Sequence, residues 1–291
     1  MITINHLTKC FGNVKAVNNL DLSLDKGIHA LVGHNGAGKS TLLRLIADVY
    51  QASEGTILID NADNHEIEVK KNVFYLSDNP YVLLHSNAMQ TFNFYSALFD
   101  LDKDQFVSLL NKLQLPMNRR VSTFSKGMRR QLFICIALSF KGEYLLLDEA
   151  FDGVDPLIQE TIKEVIIDLG REKTFIISSH NISSLERLCD DFIILHKGSI
   201  SQQGDSFDMG SSFKKYQIIF KDSVSKDDLL KQGINVVSYK KAGSITNVVV
   251  SDDSGEKIKE IFKPTLIEPI AIEPDEIIAL QMLIAKEKEG K

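Results

Sequence analysis

The sequence predicts an α/β fold: a mainly parallel sheet with helices on its faces, followed by a smaller α+β unit. Three observations carry this. Short apolar runs alternate with helical stretches, a glycine-rich turn joins one such run directly to a helix, and an all-helical stretch interrupts the alternation near the middle of the chain. Runs that are apolar throughout, without polar alternation, suit strands buried on both faces of a parallel sheet.

In chain order, "HALVG" (29–33) is the first clear strand of this kind, and the turn after it opens a helix over "KSTLLRLIADVY" (39–50). Residues 80–140 read as an inserted helical subdomain with helices at 88–100, 102–113 and from 126 onward. Within "STFSKGMRRQL" (122–132), Ser125 is a candidate helix cap, and Lys126, Arg129 and Arg130 are expected to face water. "YLLLD" (144–148) is the next buried strand, and "PLIQETIKEVIIDLG" (156–170) is a helix opened by proline and closed by glycine. "TFIISS" (174–179) is another strand, followed by a helix over 182–190 and a hairpin over 192–204 that turns at Lys197–Gly198.

The composition breaks at "DSFDMGSSFK" (205–214). Beyond it the pattern reads β (216–220), α (226–232), β (234–240), β (245–251), α (255–262), β (265–272), the order of a ferredoxin-like unit, with a final helix over 275–288. The expected division is therefore 1–205, with the helical insert at 80–140, and 215–291.

The 291 residues, 44% hydrophobic and 25% charged, have an ordinary globular composition. A net charge of −6 argues against a general nucleic-acid or anionic-membrane binder, which needs a basic surface to release counterions. Cys10, Cys135 and Cys189 are far apart, show no metal-ligand spacing and suit a reducing compartment. The longest apolar run, 132–140, is half of what a bilayer span requires and reads as a buried helix.

"GHNGAGKS" (33–40) is the strongest chemical signal: it fits G-x-x-x-x-G-K-[ST] between a predicted strand and a helix. Gly33, Gly36 and Gly38 let the backbone wrap a phosphate, whose charge then faces loop N–H groups and a helix N-terminus. Lys39 is placed to reach β- and γ-phosphates, and the Ser40 hydroxyl to hold Mg²⁺. "YLLLDEAFDGVDP" (144–156) puts Asp148 and Glu149 at the carboxyl end of a buried strand, where ligands of α/β sheets bind. Asp148 there suits a metal, and Glu149 a general base on water. Read alone, this segment also fits a strand end with solvated acids, the lesser of the two readings. His180 follows the next strand and is a candidate γ-phosphate sensor; in isolation it reads as a surface histidine.

In this order, residues 2–205 resemble the ATP-binding subunit of an ATP-binding cassette (ABC) transporter, of the bacterial exporter kind. "GHNGAGKS", with Thr41 after it, resembles the Walker A loop, so His34, Asn35 and Ala37 join the glycines, Lys39 and Ser40 as nucleotide-binding residues. "LLLDE" resembles Walker B, "DGVD" the D-loop with Asp155 at its acidic position, and His180 the switch histidine. Phe11 sits where the family stacks an aromatic on adenine. "FSKGM" (124–128) occupies the place of the signature sequence, with Ser125, Lys126, Gly127 and Met128 facing an ATP held by a second cassette.

The resemblance implies a P-loop NTPase ABC cassette fold with an N-terminal antiparallel β part. It implies ATP and Mg²⁺ as ligands and ATP-driven pairing of two cassettes, copies or different chains. It also implies transmembrane permease subunits as partners, with the chain peripheral on the cytoplasmic face of the cell membrane and no nucleic-acid partner. Within 80–140, aromatic and leucine side chains stand between docking to the permease and forming the insert's own core. Two departures mark this chain. Lys126 and Met128 replace a glycine and a glutamine of the usual signature, and "FYLSDNP" (74–80) puts Asp78 where the family's Q-loop has glutamine, beside the expected metal. A non-transport ABC-type ATPase and a weakly hydrolysing regulatory cassette are the alternative readings.

Overall fold

The computed structural model describes residues 1–180, 185, 187–205, 213–252, 254–270, 272, 276 and 280. Residues 182–184 and 186 of the expected helix at 182–190, most of the expected helix at 275–288 and most of the break at 205–214 lie outside these residues. The chain divides into two compact units, Met1–Gln203 and Gly204–Lys291.

The first unit holds two sheets with a helix between them. Strands β1 (Ile2–Phe11) and β2 (Val14–Leu24) form an antiparallel pair. β3 (Ile28–Val32), buried at every position, leads into helix α1 (Lys39–Ile46). β4 (Glu54–Ile59) returns antiparallel to β1, and a short β5 (Ala62–Asp63) completes the order β2-β1-β4-β5. Leu42, Leu43 and Ile46 of α1 pack with Ile2, Ile4, Leu20 and Leu22 of this sheet and with Leu31, Leu146, Ile176 and Ile193 of the other. Apolar side chains around most of its circumference are what a helix sandwiched between two sheets requires.

The chain then forms a short α2 (Ile67–Lys71) and β6 (Val73–Leu76), and after the helical insert β7 (Tyr144–Leu147), α6 (Pro156–Gly170), β8 (Thr174–Ser179), β9 (Asp191–His196) and β10 (Ser199–Asp205). The second sheet has the order β10-β9-β3-β8-β7-β6, and β9, β3, β8, β7 and β6 run parallel. Parallel strands bring the loops after β3, β6, β7 and β8 to one edge, which is why Gly33, Ser77, Asp148 and His180 share a neighbourhood. Lys197 and Gly198 both adopt positive φ, 47° and 80°, and so form the two-residue turn of the β9–β10 hairpin.

Helix α1 is shorter than the sequence pattern predicts. It stops at Ile46 because Asp48 turns left-handed, at φ 52°, and its carboxylate is held by His65 and Lys70 at 2.5 Å each. Tyr50 is thereby released from the helix and meets the Phe11 ring edge-on, centroids 5.5 Å apart.

The insert contains α3 (Ala88–Ser96), with an Asn87–Gln90 capping box, α4 (Lys103–Lys112), capped by Asp102, and α5 (Lys126–Leu138). Its aromatic and leucine side chains fall into a buried and an exposed set. Phe92 is buried and stacks on Phe106, centroids 4.4 Å apart, whereas Tyr81, Leu84, Phe94 and Leu98 are exposed.

The second unit follows β11 (Lys214–Ile219), α7 (Lys226–Lys231), β12 (Val236–Ala242), β13 (Ile245–Val250), α8 (Gly255–Phe262), β14 (Leu266–Ile270). Its sheet is antiparallel in the order β12-β13-β11-β14, the ferredoxin-like arrangement. Tyr216 and Ile218, two apart on β11, turn to the face covered by Leu229 of α7 and Ile258 of α8.

At the opposite edge of the main sheet, His29 is buried, with Nδ1 2.8 Å from Asp191 and Nε2 2.9 Å from the Asp25 carbonyl. Burial pulls the imidazole pKa down, but the hydrogen bond and charge of Asp191 outweigh it and leave it above its usual value. A raised folded-state pKa adds stability that is complete below the unfolded value, about 6.5, and is lost as pH rises through the folded one. Thermal unfolding of Asp191→Asn against wild type should therefore show a larger gap at about pH 6 than at about pH 9. An equal gap at both would remove the ion pair from this account.

Candidate active site

The loop after β3 wraps back on itself to start α1. Gly38 caps the helix at φ 108°, and a Cβ there would lie 2.4 Å from the Ala16 carbonyl, so both conformation and space require glycine. Ala37 is buried, while His34, Asn35 and Gly36 are exposed; the His34 ring meets that of His196 edge-on, and its Nδ1 is 2.7 Å from the Asn35 carbonyl oxygen. Lys39 is buried. Its ammonium donates to the Gly33 carbonyl at 2.7 Å and lies 3.3 Å from the Glu149 carboxylate. Ser40 and Thr41 stand half-buried in the first turn of α1.

The Ser40 hydroxyl donates to Asp148 Oδ1 at 3.0 Å. Asp148 is fully buried and receives two further hydroxyls, Ser178 on Oδ1 at 2.6 Å and Tyr75 on Oδ2 at 3.1 Å. Tyr75 in turn accepts from Arg44 Nε at 3.2 Å. Burial and the Asp148 charge push the Tyr75 phenol pKa well up, which keeps the donated proton on Tyr75. A serine hydroxyl and a carboxylate beside a phosphate-wrapping loop form the hard-oxygen donor set that Mg²⁺ takes together with phosphate and water, so these residues fit that ion.

Glu149 holds a left-handed φ of 48°. Its N–H donates to Ser178 Oγ at 2.9 Å and its Oε2 lies 2.8 Å from His180 Nδ1. A carboxylate fixed between an ammonium and an imidazole, facing the phosphate loop, has the setting of a general base for water.

A cavity of about 440 Å³ opens beside this cluster, lined by Asn35, Asp78, Lys126, Glu149, Asp152 and His180 among others. The carboxylate of Asp78, read from the sequence as a residue beside the metal, lies 3.6 Å from the Arg44 guanidinium on the wall of this cavity.

Helix α5 supplies another wall. Ser125 caps it, its hydroxyl accepting from the Met128 N–H at 3.1 Å. Lys126 reaches Asp152 at 2.7 Å, and this hydrogen bond holds the Asp152 carboxyl below its ordinary range. The expectation that the basic residues face water fails for Arg130, which is only 6% exposed. Its guanidinium donates to the backbone carbonyls of Ser77 at 2.7 Å, Asp78 at 3.4 Å, Ala150 at 3.1 Å and, more closely, Asp148. Burial lowers its pKa, against the raising influence of Asp148, Asp78, Asp152 and Glu149.

Asp155 caps α6 by accepting from the Leu157 N–H at 2.9 Å. Phe11 is 46% exposed, backed by Tyr50, with the Lys9 ammonium 5.2 Å from its ring centre. Tyr75, Ser178 and Arg44 escaped the sequence reading, which named Arg130 only as a water-facing residue; the first two lie only a few residues from motifs, in "FYLSD" and "IISSH".

Residues 17–152 match the family model described as ABC transporter. The chain is 33% identical over 219 residues to the ABC transporter ATP-binding protein NatA of Bacillus subtilis, spanning 70% of this chain and 89% of that one. It is 29% identical over 204 residues to the lantibiotic transport ATP-binding protein SrtF of Streptococcus pyogenes, spanning 69% and 89%. The dimeric structure of MJ0796, a bacterial ABC transporter cassette, superimposes with a TM-score of 0.64 at 20% identity, covering 71% of this chain and 99% of that one.

Gly127 faces the Gly153 carbonyl so closely that a Cβ would lie 2.7 Å from it. Gly127→Ala should push the loop at 152–155 outward and cost about 1–3 kcal/mol in denaturant unfolding. Unchanged stability would show that the two loops yield freely.

Proposed function

The chain belongs to the family of ABC transporter ATP-binding proteins and is an ATPase, and from that premise we propose that it powers a membrane exporter by closing on ATP against a second cassette. The observation that carries the catalytic part is the position of Glu149, fixed between Lys39 and His180 beside the phosphate loop.

In this reading the loop from Gly33 to Thr41 cradles the phosphates, with Lys39 on the β- and γ-oxygens. Phe11, on its Tyr50 backing, offers a face to adenine. Ser40 and Asp148 would hold Mg²⁺, which when bound neutralises phosphate charge. An incoming phosphate that engages Lys39 takes one partner from Glu149. The carboxylate, still oriented by His180, is then free to accept a proton from the attacking water. Among the described residues the Ser125 hydroxyl accepts from Met128 N–H, and its own proton is offered to a phosphate oxygen on a facing cassette, next to Gly127 at the helix start. Asp155 and Asp152 lie on the loop between the two.

Among the described residues no helix is long and apolar enough to cross a membrane. We place the permease contact on Tyr81, Leu84, Phe94 and Leu98, exposed apolar side chains that follow the loop at 77–80. The peripheral position at the inner membrane face rests on that contact. Export is favoured by the S-K-G-M signature and by relatedness to a lantibiotic transport protein.

Glu149→Gln should retain ATP and accumulate as an ATP-bound dimer, read by light scattering. A protein that stays monomeric at saturating ATP with its permease present would defeat the paired mechanism. Tyr81→Ser with Leu84→Ser should fold normally, since both side chains are exposed, yet lose co-purification with transmembrane subunits. Undiminished co-purification would move the docking surface elsewhere.

A further inference from the structure

Arg130 is the least expected residue of the site. A buried guanidinium normally meets a carboxylate, which matches its charge and its fork. Here the fork spans backbone oxygens from two separate loops: Ser77 and Asp78 after β6, and Asp148 and Ala150 after β7. The side chain comes from a third element, the second turn of α5, five residues beyond the Ser125 cap. The acceptors are main chain, so they report where the two loops are rather than which side chains they carry. If any one of the three segments shifts by an ångström or more, a donor of a buried cation is left without an acceptor.

We propose that Arg130 is a positioning residue that locks the loop at 77–78, the strand end at 148–150 and helix α5 into one moving unit. Displacement at the docking patch then reaches the base Glu149 and the Ser125 end of α5 together. The coupling links two loops that the sheet topology already sets side by side, since β6 and β7 are paired in parallel. Arg130 adds the helix to them. The inference rests on the docking surface proposed above only for the origin of the motion; the locking itself belongs to this chain.

The test is hydrogen–deuterium exchange on the full chain in a Glu149→Gln background, with and without ATP. With Arg130 present, ATP should slow exchange at 148–152, at 77–82 and at 125–130 in concert. In Arg130→Gln the protection at 148–152 should persist, while the change at 77–82 should shrink about fivefold or more. Arg130→Lys keeps the charge and loses the fork; it should behave like Arg130→Gln, whereas a purely electrostatic role would be rescued by lysine. It also serves as the second variant if Arg130→Gln does not fold. Concerted protection in both variants overturns the proposal, as does an ATP response at 148–152 alone when Arg130 is present. Because no permease is in the assay, failure here is separable from failure of the docking surface, which the Tyr81 and Leu84 variant reads.

Discussion

Asp148 is a fully buried carboxyl side chain, and the edge of the main sheet is arranged around the need to satisfy it. A polar group left without hydrogen bonds at this depth would destabilise its surroundings. Three hydroxyls prevent this, one each from α1, β6 and β8: Ser40, Tyr75 and Ser178. One buried charge thus fixes the start of the phosphate-loop helix relative to two strands, and the backbone oxygen of the same residue takes Arg130. The donor that meets Oδ2, Tyr75, is itself held by Arg44, so the order extends outward to the Q-loop position through the Arg44–Asp78 pair.

The other acids of the edge obey the same constraint. Glu149 faces Lys39, Asp78 faces Arg44 and Asp152 faces Lys126. Left unmatched, four carboxylates in one cleft would repel one another. Matched individually, they stay available, and a ligand that takes one cation alters one acid and leaves the rest in place. In the proposed function, Lys39 is the cation that both an incoming phosphate and Glu149 claim, which ties the arrival of substrate to the state of the base.

What the sequence disclosed follows from this division. The glycine pattern at 33–40 was legible because wrapping a phosphate requires particular backbone freedoms at a fixed spacing. The strands of the main sheet were legible because burial on both faces makes them mostly apolar runs, and the C-terminal unit because period-two and period-3.6 patterns alternate cleanly. The Arg44–Asp78 pair was not legible, since the two residues are distant in sequence and no local rule connects them. Tyr75, Ser178 and Arg130 were hidden for the same reason. Their work is to satisfy groups brought near only by the parallel order of β6, β7 and β8. The end of α1 was overestimated because a continuing apolar pattern says nothing of the Asp48 carboxylate captured from outside the helix by His65 and Lys70.

Glu149 shows how such satisfaction sustains strain. A non-glycine residue in the left-handed region costs about 1–2 kcal/mol. Glycine would remove that cost but would carry no carboxylate. The conformation persists because every polar group of the residue is engaged: the N–H on Ser178, the carbonyl on the Asp152 N–H at 3.1 Å, the two carboxylate oxygens on Lys39 and His180. An extended backbone would carry the chain straight on from β7 and give up these contacts. The left-handed turn is therefore the geometric condition for placing the side chain over the phosphate loop, and the hydrogen bonds around it are what keep the turn in place.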